Sequence, residues 1–254
     1  MSMLVAKHIS KKFGAYQALD NVSFEINKGD IVGFLGKNGA GKTTLMRILT
    51  TFITASSGSV LIDGEDITKH SLTVREKIGY LPEKPPLYGD MTVKSYLKFA
   101  AQIKGVSAKK ESFQVEKTLD DCGLNRVEKQ KISTLSKGYQ QRVGIAQAII
   151  HEPKLLILDE PTSGLDPIQI LQVLALIKNQ RDQRTVLLST HTLNEIEQVA
   201  QRVLMLKSGQ IVLDESLDEL LKKKQLTQSH SVTLEQIFID YHQDTPLTQL
   251  STQG

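Results

Sequence analysis

Gly36 to Thr43 reads "GKNGAGKT", which fits the phosphate-loop pattern G-x-x-x-x-G-K-[ST]. Gly36, Gly39 and Gly41 let a backbone wrap an anion closely, so that the N–H groups of Lys37, Asn38, Ala40 and their neighbours face it. Lys42 would reach the β- and γ-phosphates as a point charge, the Thr43 hydroxyl would take a Mg²⁺ position, and Thr44 would add a hydrogen bond to the α-phosphate. Further on, "LLILDE" ends an apolar run in Asp159 and Glu160. Acids at the carboxyl end of a buried strand sit where open α/β sheets bind ligands. Asp159 would hold Mg²⁺, and Glu160 would orient or activate an attacking water. A solvated acidic pair is the alternative, and the phosphate loop upstream weighs against it. His191 follows the next apolar run, "RTVLLSTH", on the same sheet edge, where it can meet a γ-phosphate or Glu160.

The elements that must place these groups alternate strand and helix. "DIVGFLG" is a short apolar strand before the loop, and "KTTLMRILT" is a helix after it. "KLLILDE" and "RTVLLSTH" are continuous apolar runs, as parallel strands buried on both faces require, and "PIQILQVLALIKNQ" is a helix between them. "MLVAKHIS", "ALDNVSFEI" and "SGSVLIDGED" read as earlier strands, and "RVLMLKSGQIVLDE" as a hairpin turning at Ser208-Gly209. From Met91 the apolar spacing becomes helical, with Gly105 and Gly123 as C-terminal caps. Cys122 lies at helical spacing from Val115 and Leu119 and reads as core. The expected fold is α/β: a phosphate-loop core with a mostly parallel sheet, an antiparallel β subdomain, and a helical subdomain inserted over about 88–150. The domain spans 1–215, and 216–254 forms a helical or disordered tail.

Composition narrows the function. The chain has 254 residues, 40% hydrophobic and 23% charged, as ordinary soluble domains do. A net charge of +3 is too mild to argue for nucleic acid. No apolar run approaches a membrane span and the N-terminus lacks a leader pattern, so the chain is expected in the cytosol, and its single cysteine excludes an internal disulfide.

One more stretch, "LSKGYQQRVGIAQAII" from Leu135, reads as a helix with Ser136 and Gly138 at its mouth. A helix start favours anions, although an ordinary N-cap serine would look the same. Taken in order, "GKNGAGKT", "LSKGYQQRVGIAQAI", "LLILDEPTSGLDP" and "LLSTHTLNEIE" resemble the nucleotide-binding subunits of ABC transporters, over about residues 3–215. The resemblance implies ATP and Mg²⁺ as ligands, with Phe13 in "KKFG" stacking on adenine and Tyr16 as its substitute. It implies that "LPEKPPLY" is the Q-loop joining core to helical lobe, with Glu83 at the metal, and that Ser163 to Asp166, "SGLD", is the D-loop crossing a dimer interface. It also implies that Ser136 and Gly138 close over the γ-phosphate held by Lys42 of a second nucleotide-binding subunit, a homodimer in the simplest case. A separate transmembrane permease would be the partner, placing the chain on the cytoplasmic face of the membrane.

Some residues depart from the commonest family pattern. Glu83 replaces the usual Gln, and Leu135-Ser136-Lys137-Gly138-Tyr139 replaces L-S-G-G-Q. Both "IGYLPEKPPLY" and "LSKGYQQRVGIAQAI" resemble an exporter-type branch that includes gliding-motility and drug or lipid export ATPases. Glu83 would add negative charge beside Asp159 and Glu160. Lys137 either brings a cation towards the opposing phosphate or points to solvent. "LKKK", Leu221 to Lys224, is read as a solvated face in preference to a lipid contact. The competing readings are a soluble ABC-type ATPase, such as an iron–sulfur assembly factor, and a binding-only module. The second is disfavoured because Lys42, Asp159, Glu160 and His191 are all present.

Overall fold

The computed structural model describes residues 1–181, 183–220 and 222. Among the described residues, ten strands form two sheets. The antiparallel sheet contains β1 (Ser2–Phe13), β2 (Tyr16–Asn27), β4 (Ser57–Ile62) and the short β5 (Glu65–Asp66), in the order β2-β1-β4-β5. The larger sheet contains β3 (Ile31–Leu35), β6 (Ile78–Leu81), β7 (Leu155–Asp159), β8 (Thr185–Thr190), β9 (Arg202–Lys207) and β10 (Gln210–Ser216), in the order β10-β9-β3-β8-β7-β6. All its pairings are parallel except β9 with β10. That hairpin turns through Ser208 and Gly209 at φ 49° and 79°, the left-handed pair that a two-residue turn needs.

Strands β3, β7 and β8 are buried at every residue. Their side chains alternate between two cores. Leu156, Leu158, Val186 and Leu188 join the core shared with the helical region. Leu155, Ile157 and Leu187 join the core under α1 (Lys42–Leu49) and the antiparallel sheet. Burial on both faces is why these runs are continuously apolar.

The region after Met91 holds α3 (Val93–Ile103), α4 (Ala108–Asp121) and α5 (Lys137–Ile149). Gly105 and Gly123, at φ 76° and 63°, end α3 and α4. In each case the next residue bonds back to a carbonyl five residues earlier, Val106 to Ala101 (2.9 Å) and Leu124 to Leu119 (2.8 Å), a Schellman cap. Cys122 is buried at the end of α4, in the core. Helix α5 lies close on β6, because a Cβ on Gly79 would collide with the Ala148 carbonyl and one on Gly144 would stand 2.7 Å from Leu81. The described residues also contain α2 (Ser71–Glu76), α6 (Pro167–Lys178) and α7 (Leu193–Val199). Residues 217–220 begin a helix with Leu217 and Leu220 buried. The rest of the tail, including most of the "LKKK" stretch, lies outside the described residues.

Opposite the loop edge, Asp63 joins the two sheets. Its carboxylate meets Lys28 Nζ at 2.7 Å, Lys154 Nζ at 2.7 Å and Lys77 Nζ at 3.5 Å. The bond from Lys154, then that from Lys28, holds its pKa well below the usual carboxylate range. A depressed acid contributes stability above its unfolded pKa and loses it as pH falls through the folded one. Asp63→Asn should therefore destabilise by on the order of 1–2 kcal/mol at pH 7 in urea unfolding, with the gap to wild type closing below about pH 4. Gly79→Ala should cost on the order of 1–3 kcal/mol at any pH, read as a lowered melting temperature, because it drives a methyl into helix backbone.

Candidate functional site

Strand β3 ends at the sheet's carboxyl edge, and the loop 36–41 turns back over it into α1. A Cβ on Gly36 would stand 2.7 Å from the Leu206 carbonyl, and one on Gly41 (φ 109°) would stand 2.6 Å from the Ala18 carbonyl, so only glycine fits either place. Lys42 is buried, its Nζ donating to the Gly36 carbonyl at 2.6 Å and lying 3.5 Å from Glu160 Oε1. Gly41 caps α1 without a side-chain bond, leaving the first-turn N–H groups of Lys42, Thr43 and Thr44 uncapped, as an anion site at a helix start requires. Lys37, Asn38 and Gly39 form the exposed rim of the loop, while Ala40 is buried, with its carbonyl bonded by the Gly209 N–H.

The acids come from β7. Asp159 is buried, accepts from Ser189 Oγ at 2.6 Å and is hydrogen-bonded by the Thr43 hydroxyl. Burial raises its pKa first, and the negative charges of Glu160 and Glu83 add to that. Glu160 sits at φ 49°, with its N–H donating to the Ser189 carbonyl and hydroxyl, both at 3.1 Å. Its Oε2 meets His191 Nδ1 at 2.8 Å. A cavity of about 280 Å³ is walled by Tyr16, Lys42, Thr43, Glu83, Glu160 and His191, among others. Thr43, Asp159 and Glu83 offer only hard oxygen donors, and among the described residues no group of three or more His, Cys, Asp or Glu is placed to hold a metal ion by itself. Such a place suits Mg²⁺, which keeps water and substrate oxygens as most of its ligands.

Phe13 does not line this cavity. It faces Tyr16 across the β1–β2 turn, with Lys11 Nζ 5.0 Å from its ring centre, and the nearer Tyr16 reaches the Gly39 carbonyl at 3.5 Å. Ser136, Gly138 and Asp166 also stand away from it. Ser136 caps α5, accepting from the Tyr139 N–H at 3.5 Å, and its surface is exposed. Asp166 caps α6, accepting from the Gln169 N–H at 2.9 Å.

Two residues at the site's base went unread in the sequence. Ser189 bridges Asp159 and Glu160. Buried Glu195 accepts from Thr162 at 2.7 Å and Thr190 at 2.8 Å, pinning the turn after Glu160 to the turn before His191. An acid on a short helix carries no local sign of this; the threonines that hold it come from other segments.

Comparison with known proteins gives the same architecture. The ABC transporter family profile matches residues 19–163. The chain is 38% identical over 223 residues to the uncharacterized ABC transporter ATP-binding protein YxlF of Bacillus subtilis, covering 88% of this chain and 74% of that one. It is 37% identical over 217 residues to the bacitracin transport ATP-binding protein BcrA of Bacillus licheniformis, covering 85% and 70%. Among solved structures, the dimeric post-hydrolysis state of the ATP-binding cassette MJ0796 bound to ADP and Pi aligns with a TM-score of 0.76 and 29% identity, covering 85% of this chain and 99% of that one. With the phosphate loop, the buried acids and the two-sheet fold in place, the chain belongs to the ABC transporter family, as one of its ATP-binding subunits.

Proposed function

We propose that this chain is an Mg²⁺-dependent ATPase subunit that energises transport, in the direction of export, through a separate transmembrane partner. The observation that carries the reading is the convergence of Lys42, Glu160 and His191 on one cavity at the mouth of the phosphate loop. Lys42 and the first-turn N–H groups of α1 hold the phosphates. Thr43 and Asp159, with Glu83, would hold Mg²⁺, which would supply charge neutralisation at the phosphates. Glu160 takes the proton of the attacking water, and His191 orients its carboxylate. Tyr16 takes the base-stacking place first assigned to Phe13, because it is the aromatic that walls the cavity.

Ser136 and Gly138 act on the nucleotide of a second chain. Both are absent from the walls of their own chain's cavity, and the MJ0796 cassette that this chain resembles is dimeric. Closure of the two-chain sandwich is a rigid-body change driven by ATP's preference for the closed state. A groove lined by Phe52, Tyr80, Pro82 and Pro86 beside Glu83 gives the membrane partner a place to sense that change. The export direction is supported by the resemblance of the Q-loop and signature sequences to an exporter-type branch. No helix among the described residues is long and apolar enough to cross a membrane.

Lys42→Ala should weaken ATP binding by about 10²-fold or more in nucleotide titration, since it removes a buried charge from the cradle; unchanged affinity would refute its assignment. Glu160→Gln should retain ATP binding, lose turnover by about 10²–10⁴-fold, and accumulate as an ATP-bound dimer in light scattering. Normal steady-state ATPase activity in that variant would remove Glu160 from its role.

A further inference from the structure

Lys137 stands where the family's signature commonly has glycine, so its side chain occupies space that the commoner sequence leaves free. It makes no ion pair among the described residues. Instead its ammonium rests on Gly164: a Cβ there would overlap Lys137 Nζ and stand 3.4 Å from its Cε. The contact is made within one chain, between the mouth of α5 and the turn that follows Glu160. Ser163, next to Gly164, donates its N–H to the Glu160 carbonyl at 3.1 Å. Ser163 also lines both the phosphate cavity and a neighbouring cavity of about 410 Å³ that Lys137 and Glu83 line.

Two more contacts continue the seam along α5 and α6. A Cβ on Gly138 would stand 2.7 Å from the Gln169 side chain, and Arg142 Nη2 donates to Gln172 Oε1 at 2.6 Å. The start of α5 is therefore laid against the start of α6, and Lys137 is where this seam reaches the turn carrying Glu160.

We propose that Lys137 is a positioning residue: through Gly164 it ties the signature end of α5 to the 160–164 turn, so that the element serving the partner's nucleotide and the Glu160 serving the chain's own move together. The inference rests on the two-chain reading above. Lysine suits the task because its long flexible stem lays an ammonium over Gly164, in space that a side chain there would take. Methionine has similar length without charge or donors, and arginine keeps both.

A double-mutant cycle on kcat for ATP tests this, using the full chain with Mg²⁺. Lys137→Met should lower kcat by about tenfold while ATP affinity, measured with a non-hydrolysable analogue, changes by less than about twofold. Lys137→Arg should restore at least half of wild-type kcat. Gly164→Ala pushes the ammonium aside and strains a turn held at φ 67°, so it should lower kcat at least as much as Lys137→Met, and the double variant should be no worse than Gly164→Ala alone. Multiplying losses in the double variant, or wild-type kcat in Lys137→Met, would overturn the tie. A cation acting directly on the partner's phosphate would show the multiplying pattern. Circular dichroism melts of each variant separate a folding defect from a kinetic one, and Lys137→Met, at an exposed position, should melt as wild type does. Failure of the two-chain reading shows separately, as wild-type turnover per chain that does not change with protein concentration.

Discussion

The site depends on one buried meeting of charges at the carboxyl end of β7. Asp159 and Glu160 leave a strand that is apolar on both faces and emerge against Lys42, which is itself buried. Uncompensated, such groups would cost several kcal/mol each. The structure compensates them with Ser189, the Thr43 hydroxyl and the carbonyl of Gly36. The flanking strands exist to hold these partners in register: β3 delivers the loop, β8 delivers Ser189 and His191, and both pair parallel to their neighbours. A polyphosphate with a divalent cation would fit this balance, since it brings negative charge to Lys42 and positive charge to Asp159.

That arrangement explains which parts were legible in the sequence. Strands β3, β7 and β8 announced themselves because burial on both faces forces an unbroken apolar run. The loop announced itself because steric contact with Leu206 and Ala18 leaves room for glycine alone. Gly105 and Gly123 were legible as helix ends because their left-handed backbone is a local demand. Edge strand β6 and the short helices α2 and α7 were not, since four to seven residues hold too little periodicity and their conformation is set by packing.

The site divides in the same way. Lys42, Thr43, Glu160 and His191 could be named from spacing and are gathered at one cavity. Ser189 and Glu195 could not, because each acts through residues far away in the chain. Tyr16 walls the cavity and Phe13 does not, because tertiary placement sets which side of the hairpin end lies nearer the loop. Lys137 is exposed, as one of its two sequence readings has it, and its ammonium also lies beside Gly164 of its own chain, a contact between segments that no local pattern records.

Ser136 is exposed at the mouth of a helix and stands outside its own chain's phosphate cavity, and the account assigns it to a neighbour's nucleotide. Mixed dimers test this most directly. One chain carries Glu160→Gln and so cannot turn over its own nucleotide; the other keeps Glu160 as the sole hydrolytic site. Ser136→Arg is then placed in one chain or the other, and ATPase activity is measured. The account predicts that activity is lost when Ser136→Arg lies in the Glu160→Gln chain and largely kept when it lies in the chain with intact Glu160. Loss confined to the second arrangement would contradict it, because the signature helix would then serve its own phosphate loop.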